Sequence, residues 1–254
     1  MGAAVWHAAF SHVAAIRDHL GAMRNRILRI VSVMLITAGL VIGLDVGMTL
    51  AYKEPLSTIY GSIQQGKAED DLKALEGQFP SPEDLRAVEH AGDLEARVKA
   101  LAERFSEQVH TGQGIGRIIV PSVGIDYVVV QGTDTASLQK GPGHYPDTAF
   151  PGEGKTIGIA GHRTTYLAPF HDINEIADGA EVRLEMPYGT FTYTVQKHEI
   201  VDPSDVQIVD NVGYERLVMT ACHPLYSAAQ RWAVFAKLTD VSLFATSKKK
   251  WQDP

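Results

Sequence analysis

The stretch that decides the fold is VMTACHPLYSAAQRWAVFAKL, residues 218–238. Two apolar runs flank the more polar segment HPLYSAAQ, which is the pattern of two strands joined by a turn. If the strands pair antiparallel, Cys222 at the end of the first run lies beside Arg231 at the start of the second. The sequence therefore predicts a thiol and a guanidinium as neighbours at one end of a sheet.

Further strand-like runs lie upstream of this pair. They are GRIIVPSVGIDYVVVQG (116–132), KTIGIAGH (155–162), EVRLEM (181–186), TFTYTVQKHEIV (190–201) and ERLVMTAC (215–222). Glycine, proline, aspartate and asparagine separate them, as turns require. Short strands at this spacing favour a closed antiparallel or mixed barrel, which leaves no exposed sheet edge. We expect this mainly β domain to cover residues 112–241, followed by a loose tail at 242–254.

The region before the barrel, residues 53–111, is polar and has a helical pattern. Ser81, Pro82 and Asp84 predict a helix start with a capping box. The apolar positions that follow form only a thin stripe, at Leu85, Val88, Leu94, Val98 and Leu101. We predict a polar helical stalk that holds the domain away from a bilayer. Packing on the domain and self-association stay open as alternatives.

The N-terminal part of the chain carries a membrane-spanning pattern. Residues 30–52, IVSVMLITAGLVIGLDVGMTLAY, contain one charge, Asp45, over a length that can cross a bilayer. Arginines precede this stretch and acidic sequence follows it, so the positive-inside rule assigns residues 1–29 to the cytoplasm. We predict a single-pass protein of the cell membrane whose folded domain is extracytoplasmic. A cleaved signal peptide is the alternative, although no small-x-small cleavage site follows.

The composition and net charge limit the classes of function that this chain can have. The 254 residues have a net charge of −7 and a pI near 5.8, which argues against a nucleic-acid binder with a basic face. The single cysteine excludes an internal disulfide. In an exported domain a lone thiol is a candidate reactive group, whereas in the cytosol it can be a small core residue. The acidic residues of 199–215 are scattered, so we expect no metal site, and we expect no cofactor.

The candidate chemistry is that of a cysteine nucleophile. A thiolate needs a basic or cationic neighbour, and the attacked carbonyl needs hydrogen-bond donors. His223 is next to Cys222 in sequence, but successive strand side chains point to opposite faces. His162 follows the strand KTIGIAG and is better placed, and Arg231 can direct two donors toward an oxyanion. A hydrogen-bonded structural histidine and a surface arginine are the alternative interpretations.

Three separated motifs resemble the sortase family. They are GHRTTY followed by APF (161–170), TACHP (220–224), and Arg231 nine positions beyond the cysteine. The upstream segments IVPSVGIDYVVVQGTD and ASLQKGPGHYP and the pair Pro151-Gly152 also resemble sortases, especially class E sortases of actinobacteria. The resemblance covers roughly residues 112–240, about half of the chain.

This resemblance implies an eight-stranded β-barrel with short helices and a cysteine transpeptidase activity. The enzyme would cleave an LPxTG or LAxTG sorting signal of exported proteins after threonine. It would then transfer the acyl group to an amine, in the family that of a peptidoglycan precursor or a pilin lysine. Cys222 is then the nucleophile, His162 the general acid and base, and Arg231 the stabiliser of the oxyanion and the bound signal. Thr220 lines the substrate groove in this scheme, with a structural threonine as the alternative.

The chain departs from the family pattern in places. The segment MTAC, residues 219–222, stands where many sortases have Thr-Leu-x-Thr-Cys, and Leu167 stands where class E members often have glycine. By resemblance, Tyr166 is a candidate for choosing alanine over proline in the signal, with packing as the alternative. The stalk has no Asp-Pro-aromatic lid and no second membrane helix follows the barrel. Both features favour wall anchoring over pilus assembly.

Three other functions stay open at the level of sequence. A cysteine protease or amidase shares the thiol chemistry but releases its acyl group to water. A membrane-tethered binding module has no catalysis and needs no thiol. A sortase can also be inhibited by its own stalk.

Overall fold

The structure is a computed structural model that describes residues 3–51 and 55–243, with side chains over 23–47 and 57–243. The chain divides into two compact units between Tyr52 and Lys53. The first unit is the helix α1, Ala3–Ala51. Its segment Met23–Gly47, whose most apolar stretch of 18 residues has a mean hydropathy of 2.4, is long and apolar enough to cross a membrane. This candidate anchor overlaps the predicted span of residues 30–52, of which residue 52 lies outside the described residues.

The second unit contains a closed barrel of eight strands. Their bounds are β1 Gly114–Val120, β2 Ile125–Gln131, β3 Gly143–His144, β4 Thr156–Gly161, β5 Glu181–Met186, β6 Gly189–Val201, β7 Arg216–His223 and β8 Gln230–Leu243. Around the barrel the order is β1-β2-β3-β4-β7-β8-β6-β5, and β5 closes on β1. The pairs β2–β3 and β4–β7 are parallel and the others are antiparallel. The predicted closed mixed barrel is therefore confirmed.

The C-terminal boundary differs from the prediction. The last strand, β8, extends to Leu243, because Gly189 on β6 still pairs with that residue. Residues 242 and 243 therefore belong to the barrel and not to a tail. The remainder of the predicted tail, 244–254, lies outside the described residues.

Alternation along the strands separates an interior face from an outer face. Ile157 and Ile159 on β4, and Met219 on β7, belong to the main core. Val218 on β7 belongs instead to a second cluster with Ala233 and Phe235 of β8. Odd positions on β4 and β7 therefore face the interior, and so do even positions on β8.

Four α-helices accompany the barrel in this unit: α2 Pro55–Glu76, α3 Pro82–Val88, α4 Leu94–Ser106 and α5 Thr135–Leu138. The predicted capping box at α3 is present. The Ser81 hydroxyl accepts the Asp84 N–H at 3.1 Å, and the Asp84 carboxylate accepts the Ser81 N–H at 2.9 Å. Arg104 of α4 donates to the same carboxylate at 2.7 Å, which ties the two helices together.

Residues 55–106 pack on the barrel instead of forming a solvated stalk. Phe79 and Phe105 are fully buried, and their rings pack against each other and against Tyr188 beside β6. On α2, the Gln65 side chain accepts from the Val128 N–H of β2 and donates to the Val128 carbonyl. The apolar stripe predicted from the sequence did not include Phe79 and Phe105. These two aromatic residues complete the apolar surface that packs on the barrel. Of the alternatives left open, packing on the domain is the one observed.

Candidate active site

The ends of three neighbouring strands bring the predicted catalytic residues together. β7 and β8 pair antiparallel, with Cys222 directly opposite Arg231. β4 and β7 pair parallel, and their last pair joins Gly161 to Ala221. His162 and Cys222 are the residues that directly follow this last pair in their two chain segments. The thiol, the imidazole and the guanidinium therefore belong to adjacent chain segments at one end of the barrel.

The strand alternation assigns these three side chains to the same face. Cys222, His162 and Arg231 all continue the positions that point outward on their strands. His223 faces the other way, and its ring packs on Trp232 with centroids 5.4 Å apart. The sequence argument that His223 points away from the sulfur thus agrees with the contacts of its ring.

Cys222 is a free, half-buried thiol. It is the penultimate residue of β7, a strand that pairs with β4 as far as Ala221 and with β8 through His223. A thiol in this position is held by rigid backbone and is still open to solvent on the outer face. Both conditions suit a nucleophile, which needs fixed geometry and substrate access.

The His162 imidazole is partly buried and neutral. Burial lowers the pKa of its imidazole below the usual value, so the ring is uncharged at neutral pH. Its Nε2 atom is buried and has no hydrogen-bond partner among the described residues. The Tyr166 ring packs on the imidazole, with centroids 5.2 Å apart and planes inclined by 39°. An unpartnered buried nitrogen beside a thiol is a typical feature of a proton-transfer site.

Arg231 is anchored to the turn that follows the thiol. Its Nη1 group donates to the carbonyl oxygens of Ala228 and Gln230, both at 2.9 Å. Among the described residues these are the hydrogen bonds that the guanidinium makes, so Nε and Nη2 are available to an incoming acceptor. A guanidinium keeps its charge at every relevant pH and offers donors in a fixed fork.

A groove of about 660 Å³ begins at Arg231 and Thr220. The loop between β3 and β4 and the loop between β6 and β7 form its sides. Thr220 is buried, and its hydroxyl hydrogen bonds to the Tyr145 hydroxyl at 2.8 Å. Five carboxylates and two cationic side chains line the groove: Asp147, Glu153, Asp202, Asp205, Asp210, Lys155 and Arg231. The groove meets the candidate site at Thr220 and Arg231, and neither Cys222 nor His162 is among the residues that line it.

Three of the acidic residues of 199–215 line this groove, namely Asp202, Asp205 and Asp210. Among the described residues, no three His, Cys, Asp or Glu side chains converge as metal ligands would.

Tyr166 lies outside this groove, on the loop that follows His162. Tyr166, Leu167 and Ala168 all have positive φ angles, of 48°, 69° and 45°. Such left-handed backbone favours glycine, which gives a physical meaning to the glycine that class E members often carry in place of Leu167. The Tyr166 hydroxyl accepts a hydrogen bond from Gln139 at 3.1 Å, and its N–H donates to Ser57 of α2 at 3.0 Å. The tyrosine is thus fixed against the imidazole from several sides.

Two residues at the site were not singled out from sequence. Tyr145 holds Thr220, and Arg163 is buried behind Cys222 with a hydrogen bond to the Cys222 carbonyl oxygen. Both belong to motifs that the sequence already marked, GHRTTY and ASLQKGPGHYP. Arg163 directly follows His162 in the sequence, and for this residue that adjacency was the available signal.

Comparison with known proteins identifies the family. A model of the sortase domain matches residues 118–239. The chain is 33% identical over 175 residues to sortase D of Bacillus subtilis (strain 168), covering 67% of this chain and 84% of that protein. It is 27% identical over 157 residues to sortase SrtE1 of Streptomyces coelicolor, covering 56% of this chain and 45% of that one.

A solved structure agrees in fold. The SrtF sortase of Corynebacterium diphtheriae superposes with a TM-score of 0.52 at 25% identity, covering 57% of this chain and 93% of that one. The predicted resemblance and the predicted class of enzyme are both confirmed. The chain belongs to the sortase family of cysteine transpeptidases.

Proposed function

We propose that this sortase cleaves an LPxTG- or LAxTG-like sorting signal after threonine and transfers the acyl group to an amine of a cell-wall precursor. The observation that carries the proposal is the strand register that sets Cys222 opposite Arg231 and one step from the Gly161–Ala221 pair that precedes His162. The substrates are exported proteins with such a signal. No nucleic acid is involved.

In the proposed first half-reaction, neutral His162 takes the thiol proton and the Cys222 sulfur attacks the threonine carbonyl. The resulting oxyanion accepts hydrogen bonds from the Nε and Nη2 groups of Arg231. The C–N bond to glycine then breaks as the imidazolium of His162 protonates the leaving amine. A thioester on Cys222 and a neutral imidazole remain, so protons and electrons balance.

The second half-reaction reverses these roles. The acceptor amine attacks the thioester carbonyl and gives a proton to His162, and Arg231 again stabilises the oxyanion. The C–S bond breaks and the sulfur leaves as a thiolate, which recovers the proton from the imidazolium. Because burial lowers the pKa of His162, the thiolate and imidazolium together form a minor population of the resting enzyme.

The candidate anchor supports a membrane location for this activity. The apolar segment Met23–Gly47 precedes the folded unit, and arginines lie at and before its N-terminal end. We propose a single pass with residues before the span in the cytoplasm and the barrel outside. This orientation brings the thiol to the compartment that holds exported proteins.

The class of the signal is part of the proposal. The resemblance to class E sortases makes Tyr166 a candidate for choosing alanine over proline in the second position, while the sortase D relative has the higher identity. Tyr166 is the residue we propose for this choice, because its ring packs on His162. Comparing kcat/KM for paired Leu-Ala and Leu-Pro signal peptides, with wild type and Tyr166→Phe, measures the preference.

The test of the overall reaction compares two acceptors, water and an amine. The full chain in detergent micelles is incubated with an LAxTG or LPxTG peptide, with and without a glycine amine, and the products are identified by mass spectrometry. We expect an amide product that depends on the amine, and no product from a peptide with a scrambled signal. Release of the free acid at a rate that the amine does not change would identify a protease or amidase instead.

A further inference from the structure

Arg163 follows His162 directly in the chain but its side chain lies on the opposite side of the sheet. It is only 5% exposed, which is rare for a guanidinium. Its Nε donates to the His171 carbonyl at 3.1 Å and its Nη2 donates to the Asn174 side-chain oxygen. Its Nη1 lies 3.4 Å from the Cys222 carbonyl oxygen and 3.2 Å from Nδ1 of His223. The guanidinium thus contacts the C-terminal end of β7 on the face opposite the Cys222 side chain.

The charge of this guanidinium is not neutralised by a direct partner. Its hydrogen-bond partners are two carbonyls, an amide oxygen and an imidazole, and none of the described carboxylates forms an ion pair with it. Burial lowers the pKa of the Arg163 guanidinium, and the nearby half-exposed Asp172 and an ionised Cys222 oppose that shift. A buried charge without a counter-ion is costly, and this one lies against the backbone carbonyl of Cys222, on the face of the strand opposite the sulfur.

We propose that Arg163 is a positioning residue that fixes the backbone of Cys222 and supplies, from behind the strand, a positive charge that favours the thiolate. The inference rests on the proposed function, in which the Cys222 sulfur attacks as a thiolate. It adds a second cation to the site: Arg231 meets the substrate on the outer face, and Arg163 acts on the nucleophile from the inner face.

A merely structural role is the competing explanation. Arg163 also links the loop after β4 to the end of β7, so its removal can destabilise the fold without any effect on the sulfur. The reactivity of the thiol separates the two roles, because only an electrostatic effect shifts its dependence on pH. The titratable and charged groups that face Cys222 or Arg163 are His162, His171, Asp172, His223 and Arg231. The pH midpoint of Cys222 alkylation is therefore compared between variants under identical conditions.

The experiment measures alkylation of Cys222 by iodoacetamide in the full chain, in detergent, across a pH series. The variants are Arg163→Gln, which removes the charge, and Arg163→Lys, which keeps the charge but not the fork. The matched control is Arg216→Gln, because Arg216 is also a buried arginine bound to carbonyl oxygens, those of Ile208 and Asp210, but at the far end of β7. Thermal unfolding of each variant reports the structural contribution separately.

We expect Arg163→Gln to raise the alkylation midpoint by about one pH unit, which slows alkylation roughly tenfold below both midpoints. Arg163→Lys should keep the midpoint near that of wild type and lower kcat for transfer about tenfold with little change in KM. Arg216→Gln should leave the midpoint unchanged. A folded Arg163→Gln variant with the wild-type midpoint would overturn the proposal.

If Arg163→Gln fails to fold, Arg163→Lys tests the proposal. Wild-type values of both kcat and the alkylation midpoint in Arg163→Lys would contradict the proposed positioning role. Alkylation needs no sorting signal, so the two proposals fail separately. A wild-type chain that transfers no acyl group refutes the proposed function, while the shift in midpoint still tests the role of Arg163.

Discussion

Cys222 and Arg231 face each other directly across the antiparallel pair of β7 and β8. On its other side, Arg231 pairs with Val201 of β6, so the backbone of the arginine is held between two strands. Rigid strands place reacting groups more reproducibly than free loops do. This relationship makes the guanidinium a fixed feature of the thiol's surroundings.

Loss of the Arg231 guanidinium should slow the reaction without unfolding the barrel. We expect Arg231→Ala to lower kcat by about 10²–10³-fold, the usual effect of removing one donor to an oxyanion. Arg231→Lys should retain part of the activity, because it keeps the charge and loses the fork. Steady-state transfer kinetics and a thermal melt of each variant provide the check. An alanine variant within a few-fold of wild type would exclude this role.

The hydrogen bond between Thr220 and Tyr145 decides whether the threonine is structural. Tyr145→Phe leaves a buried hydroxyl on Thr220 without its partner, which should cost about 1–3 kcal/mol of unfolding free energy. Adding Thr220→Val removes that hydroxyl, so the double variant should recover most of the loss. Chemical denaturation of the four proteins of this cycle measures the coupling. Additive losses would show that the hydrogen bond contributes no stability.

Removing the helices before the barrel should unfold the domain. A chain that begins at residue 55 keeps Phe79 and Phe105, whereas one that begins at residue 111 exposes the surface they cover on Tyr188. Each lost phenylalanine is worth about 3–5 kcal/mol, a large part of the 5–15 kcal/mol typical of a whole domain. We expect cooperative thermal unfolding for the longer chain and none for the shorter. A shorter chain that melts normally and is more active would instead indicate inhibition by these helices.

A buried histidine should make the fold sensitive to acid. Burial lowers the pKa of His144 from 6.5 to about 4, and its ring nitrogens bond to the Gln131 side chain and the Ala149 carbonyl. The unfolded state binds a proton more readily, so stability is complete above about pH 6.5 and falls as the pH drops toward 4. The loss from this residue is about 3 kcal/mol. Urea unfolding at several pH values should show a flatter profile for His144→Gln, and equal slopes would argue against this account.

The elements of the fold that could be predicted from sequence are those marked by a local residue pattern. Seven of the eight strands correspond to runs of β-branched and apolar residues in the sequence. β3, Gly143–His144, was missed because two residues carry no periodicity. The packing of Phe79 on Tyr188 was also missed, because no local pattern specifies a contact between residues so far apart in the chain.

The same distinction holds at the site. The neighbourhood of Cys222 and Arg231 follows from a short turn between two strands, so sequence alone could predict it. The position of His162 depends on the parallel pairing of β4 with β7, which joins distant segments, and only the family resemblance specified its role. Arg163 was overlooked because a charged residue in a loop is usually solvated, and its burial depends on acceptors from several segments.

The most direct test of the account is to trap the acyl-enzyme. The full chain is mixed with a sorting-signal peptide without an acceptor amine, quenched in acid and analysed by mass spectrometry with peptide mapping. We predict a mass increase equal to the acyl part of the peptide on Cys222, lost on addition of a glycine amine and missing in Cys222→Ala. An adduct on another residue, or signal cleavage by the Cys222→Ala variant, would contradict the claim that this thiol is the nucleophile.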